Sequence, residues 1–166
     1  MLLLRTISGS RLYGLSHAKS DYDYWEVYSN KLPSPAKYIK QTISGDLDLT
    51  QSNLSTFMRN ANKCTPQALE CMFSEQAEVD EISELRRNYR LDTAKFYHVY
   101  LSLIHMNSDT SKKNAARHSL RLALNLKQGM KYARFCPTLT DKQIERIVNS
   151  SEQELFEWRD KVINNL

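Results

Sequence analysis

The chain has 166 residues, the length of one compact domain with enough sequence to bury a sizeable core. Three cysteines, an odd number without a CxxC pair, exclude a disulfide framework and a structural zinc site as first expectations, and favour a reduced, cytoplasmic protein. The net charge of +4 suits a phosphate-rich ligand, while the apolar residues 1–4 are too few for a signal peptide or membrane span, so no membrane partner is expected.

The first third of the chain contains short apolar or aromatic runs separated by turn residues. The runs at Leu2–Ile7 and Tyr22–Tyr28 predict two strands. A third candidate covers residues 38–49, where apolar and polar residues alternate loosely around a break at Gly45. We therefore expect two or three strands before residue 50.

The remainder of the chain has the periodicity of helices. Apolar residues recur at intervals of three and four over residues 54–73. Asp92 is a predicted N-cap for a helix that ends near Met106. A second long helix is expected over residues 111–132, with Pro137 as its end.

Two cap residues predict the last helices of the chain. Thr140 and Ser151 are both favoured N-cap types, and Glu154, three positions after Ser151, completes a capping-box pattern. The predicted fold is therefore α+β. It has a small β-sheet core in residues 1–50 and a helical part in residues 51–166 that packs on this core.

A glycine and a serine, Gly9 and Ser10, follow the first predicted strand. Glycine has no side chain to keep the backbone away from phosphate oxygens. The serine hydroxyl and the N–H groups of a following helix can donate hydrogen bonds to the same oxygens. The pair therefore predicts a seat for phosphate groups.

Three carboxylates are candidates for a metal site. Asp21 and Asp23 are one residue apart, so on a strand both point to one face and can share a hard divalent cation. In-line displacement at phosphorus commonly uses two cations and a third carboxylate. Asp48, between two leucines in the third strand candidate, is the preferred third ligand, and Asp46 is the alternative.

The spacing of these motifs resembles that of the DNA polymerase beta-like nucleotidyltransferase superfamily. Residues 9–10 and residues 21–24 match its Gly-Ser and Asp-hydrophobic-Asp-hydrophobic elements, with ten residues between them. More narrowly, residues 9–14 and 20–23 resemble the YcgL-type predicted nucleotidyltransferases of bacteria and phages. Residues 66–73 and 116–122 resemble two further segments of that group, so the resemblance covers most of the chain.

The resemblance implies a small nucleotidyltransferase-type sheet followed by a helical C-terminal part. It implies that Asp21, Asp23 and Asp48 bind Mg²⁺ or Mn²⁺ and are the catalytic residues. The reaction would transfer a nucleoside monophosphate from a nucleoside triphosphate to an acceptor, with release of pyrophosphate. The sequence leaves open whether the acceptor is RNA, protein or a small molecule, and it leaves the oligomeric state open. The implied nucleotide-binding residues lie in the two N-terminal motifs: Gly9, Ser10, Tyr13 and Ser20.

Basic residues on the second long helix have two possible roles. His118 and Arg121 are three residues apart and share one helical face, with Lys113 nearby. They could contact phosphate or the acceptor, or they could form a solvated basic face. The sequence also leaves two roles for Glu70: it could be a site residue or an ordinary carboxylate on a helix surface.

Two other classes of function stay possible on the sequence alone. One is a non-catalytic nucleotide or nucleic-acid binding protein of the same fold, although binding alone does not need three converging carboxylates. The other is an antitoxin-like protein that binds a partner through its helices. Four aromatic residues could stack on a nucleobase or pack in the core: Tyr22, Tyr24, Trp25 and Tyr28.

Overall fold

The computed structural model describes residues 1–29, 32, 39–109 and 114–166. The chain divides into two compact units, Met1–Arg90 and Leu91–Leu166. Within the described residues, the first unit holds a five-stranded mixed sheet with four helices, and the second holds four helices. The α+β prediction is confirmed. The expected division of the chain near residue 50 by function stays a prediction.

The elements of the first unit begin at the second residue of the chain. They are β1 (Leu2–Ile7), α1 (Gly9–Leu12), β2 (Tyr22–Tyr28), β3 (Ile39–Ser44), β4 (Leu47–Asn53), α2 (Leu54–Asn62), α3 (Pro66–Phe73), β5 (Ala77–Asp80) and α4 (Ser83–Asn88).

The prediction of a single strand over residues 38–49 is wrong, because residues of two strands, β3 and β4, lie in this segment. Gly45 has a φ of +59°, a left-handed conformation that glycine adopts without strain, and the turn there reverses the chain. The described part of β3 pairs antiparallel with β4 across this turn. Tyr38 lies outside the described residues. The short strand β5 was also not among the predicted strands.

The strands of the sheet lie in the order β3-β4-β2-β1-β5. Strand β1 is antiparallel to β2 and to β5, whereas β2 is parallel to β4. Parallel neighbours begin at the same end of a sheet. The first residues of β2 and β4 therefore lie side by side, and this end carries two of the predicted carboxylates.

One face of the sheet is the core of the first unit. Trp25 and Val27 of β2 are buried on it, together with Leu4 of β1. The Trp25 ring packs edge-on against Phe57 of α2, with 5.7 Å between ring centroids. Its Nε1–H donates to the buried Ser52 hydroxyl at 2.8 Å, so the polar atom of the indole is satisfied inside the core.

The opposite face carries a network of polar side chains. Arg5 of β1 lies 3.5 Å from Glu26 of β2 and 3.1 Å from Glu78 of β5. The Tyr24 hydroxyl donates to Glu78, and the Gln51 amide donates to Glu26. Glu26 is 7% exposed, and its contacts with Arg5 and Gln51 compensate its buried charge.

The second unit is helical throughout its described elements. They are α5 (Thr93–Met106), α6 (Ala115–Tyr132), α7 (Asp141–Asn149) and α8 (Glu152–Ile163).

The predicted caps of these helices are confirmed. The Asp92 carboxylate accepts from the Lys95 N–H at the start of α5. Thr140 and Ser151 both form capping boxes, the latter with Glu154 as expected. These pairs satisfy N–H groups that have no partner within the helix.

Helix α6 ends at Tyr132 as predicted, but its end is not set by Pro137. Ala133, in the left-handed conformation with a φ of +50°, stops the helix four residues earlier. The expected start at Ser111 lies outside the described residues. No helix among the described residues has both the length and the apolar character needed to cross a membrane.

Candidate functional site

Asp23 and Asp48 occupy matching positions on neighbouring strands. In the parallel pairing of β2 with β4, Asp23 is the register partner of Asp48. Directly paired residues point to the same face of a sheet, and here it is the face that carries Trp25 and its partner Thr50 further along. Both carboxylates are half-buried, at the end of the core face where the strands begin.

The other two aspartates lie outside the strands. Asp21 is exposed and precedes β2 by one residue. Asp46 is exposed in the turn before β4, and its carbonyl accepts the Tyr22 N–H at 2.6 Å. Of the two candidates for the third ligand, the strand register therefore brings Asp48, and not the turn residue Asp46, beside Asp23.

Gly9 lies directly against the Asp23 carboxylate. Its φ is +65°, and a Cβ built on it would lie 2.0 Å from Asp23 Oδ2. The backbone of the preceding residue joins the same strand, because the Ser8 N–H donates to the Asp23 carbonyl at 2.8 Å. The Gly-Ser turn therefore packs against Asp23, a candidate metal ligand, and this packing requires glycine at position 9.

Helix α3 supports this turn from below. The Gly9 N–H donates to Glu70 Oε2 at 3.0 Å, and the Gln67 amide lies 3.4 Å from the Ser8 hydroxyl. Gln67 and Glu70 are three residues apart, so they share one face of the helix. Glu70 is 3% exposed, which contradicts its reading as a surface carboxylate.

Arg11 holds the segment that leads into β2. Its Nε donates to the Asp21 carbonyl at 3.0 Å, and its Nη2 donates to the Ser20 carbonyl at 2.7 Å. The guanidinium also lies over the Tyr22 ring, 3.5 Å from the centroid. The side chain thereby fixes the backbone beside Asp21.

The three aspartates have the carboxylate oxygens that a divalent cation prefers, but their side chains do not converge on one point. Both oxygens of Asp48 accept from the Gln41 amide, at 2.9 Å each. Among the described residues, no three acidic, histidine or cysteine side chains converge closely enough to hold a metal ion. Carboxylate oxygens are nevertheless the ligands that Mg²⁺ and Mn²⁺ prefer, and register keeps two of them adjacent.

The four predicted nucleotide-binding residues have different surroundings. The Gly9 N–H is engaged by Glu70, so Gly9 offers close backbone approach rather than a donor. Ser10 is half-buried in α1, while Tyr13 is 1% exposed and belongs to the core. The Ser20 hydroxyl accepts from the His17 N–H at 2.9 Å. Their roles in nucleotide binding stay predictions.

The basic residues predicted on α6 lie in the second unit. Arg121 Nη2 is 3.2 Å from His118 Nδ1. Because arginine can only donate, Nδ1 accepts and His118 carries its proton on Nε2. Burial and the neighbouring guanidinium lower the pKa of His118 from 6.5 to about 4, so the imidazole is neutral at pH 7. Lys113 lies outside the described residues.

The aromatic residues of β2 serve mainly in packing and hydrogen bonding. Trp25 is buried against Phe57, and the hydroxyls of Tyr24 and Tyr28 donate to glutamates on the opposite face. Tyr22 is 45% exposed and lies beneath Arg11. Of the four, Tyr22 is the one whose ring is open to a further partner.

Comparison with known proteins identifies a family. No curated protein matches the chain significantly. A family model described as the RNA repair pathway DNA polymerase beta family matches residues 1–164. This match agrees with the Gly-Ser and aspartate motifs and with the mixed sheet that brings them together. The chain therefore belongs to the RNA repair pathway DNA polymerase beta family, and its function is of the nucleotidyltransferase type.

Proposed function

We propose that the chain is a metal-dependent nucleotidyltransferase that moves a nucleoside monophosphate from a nucleoside triphosphate to an RNA acceptor, releasing pyrophosphate. The observation that carries this proposal is the register pairing of Asp23 with Asp48, with Gly9 packed against the first of them. The family description names RNA repair, which favours RNA over a protein or small molecule as the acceptor.

The proposed catalytic residues are the three aspartates. Asp21, Asp23 and Asp48 hold Mg²⁺ or Mn²⁺, which supplies charge neutralisation on the reacting phosphate oxygens. Asp48 also accepts the proton of the acceptor hydroxyl at one of its Oδ atoms, or orients that hydroxyl. For either role, the Asp48 carboxylate must give up its hydrogen bonds from the Gln41 amide so that its oxygens can contact the metal or the acceptor hydroxyl.

The nucleotide is proposed to bind along the Gly-Ser turn. Ser10 and Ser20 donate hydroxyl hydrogen bonds to phosphate oxygens, Gly9 allows close approach, and Tyr13 supports the turn from the core. Lys113 and Arg121 are proposed to contact an anionic group of the triphosphate or of the acceptor, and His118, which is neutral at pH 7, to contact the same group through its Nε2–H.

The test follows two labels of the same triphosphate. Each of the four ribonucleoside triphosphates, labelled at the α- or γ-phosphate, is incubated with the chain and Mg²⁺ or Mn²⁺. Three separate acceptor pools are supplied: RNA, protein freed of nucleic acid, and small metabolites. We expect the α label to enter RNA and the γ label to appear in pyrophosphate, and the Asp23→Asn, Asp48→Asn double variant to transfer neither.

Other distributions of label contradict the proposal in different ways. Label in protein or metabolites would leave the reaction class standing and replace the acceptor. Transfer of the γ label to an acceptor would identify a phosphotransferase instead. Triphosphate binding without transfer to any pool, with either metal, would favour the non-catalytic nucleotide-binding protein.

A further inference from the structure

Glu70 is a buried carboxylate whose role goes beyond those assigned so far. It lies within α3 in a run of buried residues and is itself 3% exposed. Its Oε2 accepts the Gly9 N–H at 3.0 Å. A carboxylate is costly to bury, and a charge-assisted hydrogen bond from a backbone N–H offsets part of that cost.

Gly9 connects this carboxylate to the site. The peptide N–H of Gly9 is directed to Glu70, while its Cα lies against the Asp23 carboxylate, so closely that a Cβ would meet Asp23 Oδ2 at 2.0 Å. Gln67, on the same face of α3, approaches the Ser8 hydroxyl at 3.4 Å. The helix therefore contacts the turn at two successive residues, through two of its own side chains.

We propose that Glu70 is a positioning residue: by accepting the Gly9 N–H it fixes the peptide that backs Asp23, and so sets the orientation of that metal-binding carboxylate. This inference rests on the proposed function of Asp23. Without an acceptor at residue 70, the part-buried Gly9 N–H loses its partner and the turn can rotate to find another. Asp23 then loses the surface that holds its carboxylate in one place.

The experiment compares two substitutions of Glu70 with the same two at Glu26. Glu70→Gln keeps an oxygen that can accept the Gly9 N–H, whereas Glu70→Ala removes it. Glu26 is the matched control, because it is also a buried glutamate, 7% exposed, on the opposite face of the sheet. All four variants are assayed for kcat, for the KM of the triphosphate and for Mn²⁺ affinity.

A spectroscopic measurement reports on the hydrogen bond itself. The chain has only four glycines, so selective ¹⁵N-glycine labelling gives four backbone amide resonances. We expect Glu70→Ala to shift the Gly9 resonance, to weaken Mn²⁺ binding and to lower kcat about tenfold with a smaller change in KM, the scale of one lost charge-assisted hydrogen bond. Glu70→Gln should recover most of each loss, and the Glu26 variants should leave kcat and Mn²⁺ affinity unchanged.

Two results would overturn the inference. Wild-type kcat and Mn²⁺ affinity in Glu70→Ala would show that the Gly9 contact does not affect Asp23. Equal damage from Glu70→Gln and Glu70→Ala would show that the charge itself is needed, as for a ligand rather than a positioning residue. If the wild-type chain transfers no nucleotide, the proposed function fails separately, and the Mn²⁺ affinities and Gly9 resonance still decide the role of Glu70.

Discussion

Asp23 and Asp48 are direct register partners across the parallel pairing of β2 with β4. They come from different strands, 25 positions apart in the chain by their numbering, and the sheet places them on the same face at the same end. This relationship depends on the strand order, since an antiparallel pairing would carry one of them to the far end of the sheet.

The first prediction concerns the aspartate pair on and before β2. Asp21→Asn or Asp23→Asn should lower kcat for nucleotidyl transfer about a hundredfold or more, because the cation loses a hard oxygen ligand. The melting temperature should stay close to the wild-type value, since asparagine has nearly the same shape. Either variant with near wild-type transfer in Mg²⁺ would exclude that residue from the site.

A second comparison distinguishes Asp48 from Asp46. Asp48→Asn should reduce kcat by orders of magnitude, whereas Asp46→Asn should change it little, because Asp46 contributes its backbone carbonyl to the turn and that carbonyl is retained. Steady-state kinetics of both variants, measured across a Mg²⁺ titration, provide the check. Mild and equal effects would mean that neither aspartate completes the metal site.

Arg121 is tested by substitution with another cation. If its guanidinium pairs with phosphate oxygens, Arg121→Lys should lower kcat/KM about tenfold, because lysine cannot reproduce a bidentate contact. The melting temperature should change little. If both the kinetics and the melting temperature are unchanged, Arg121 belongs to a solvated face. If the kinetics are unchanged but the melting temperature falls, Arg121 makes a structural contact with His118.

His118 predicts a dependence of stability on pH. Its pKa is lowered from 6.5 to about 4 in the folded chain, so the unfolded chain binds the proton more readily between these values. The contribution of His118 to the free energy of unfolding is therefore full above pH 6.5. It decreases as the pH falls from 6.5 towards 4, and it is constant below that. Urea unfolding at pH 7, 6 and 5 should therefore show a steeper loss of stability in the wild type than in His118→Gln. If the free energy of unfolding depends on pH equally in the two proteins, the pKa of His118 is not lowered by folding.

Gly129 tests the packing of the second unit. A Cβ at this position of α6 would lie 2.3 Å from Cε1 of Phe96, which is fully buried. Gly129→Ala should destabilise the chain by up to about 2 kcal/mol, because overpacking costs about 1–3 kcal/mol and the higher helix propensity of alanine offsets about 1 kcal/mol of that cost. In a Phe96→Leu background the penalty should shrink or reverse, measured as a coupling in a double-mutant cycle. Additive effects would contradict the contact.

The features that the sequence predicted correctly are those determined by neighbours in the chain. The caps Asp92, Thr140 and Ser151 bond to N–H groups three residues away, and their chemistry can be read from a short window. The long helices followed from the spacing of apolar residues.

The features that the sequence missed depend on distant partners. The weak alternation around Gly45 did not reveal a hairpin, because a turn residue inside a polar strand resembles a simple interruption. Neither Gln41 beside Asp48 nor the Gly9 contact of Glu70 could be inferred from spacing, since each joins separate elements. A signal for Glu70 did exist. A glutamate within an otherwise apolar run, residues 68–73, needs a polar partner, although the run does not identify it.

The close contact at Gly9 has a consequence for comparing members of the family. Glycine is required there twice, by its positive φ and by the nearby Asp23 oxygen, whether or not the protein turns over a substrate. A related chain that had lost activity would therefore keep Gly9 for folding alone. Asp48 is half-buried and bonded to an exposed glutamine, so selection for folding places little demand on it. If Asp48 has its proposed catalytic role, an aspartate at residue 48 distinguishes active enzymes among related chains better than the glycine motif does.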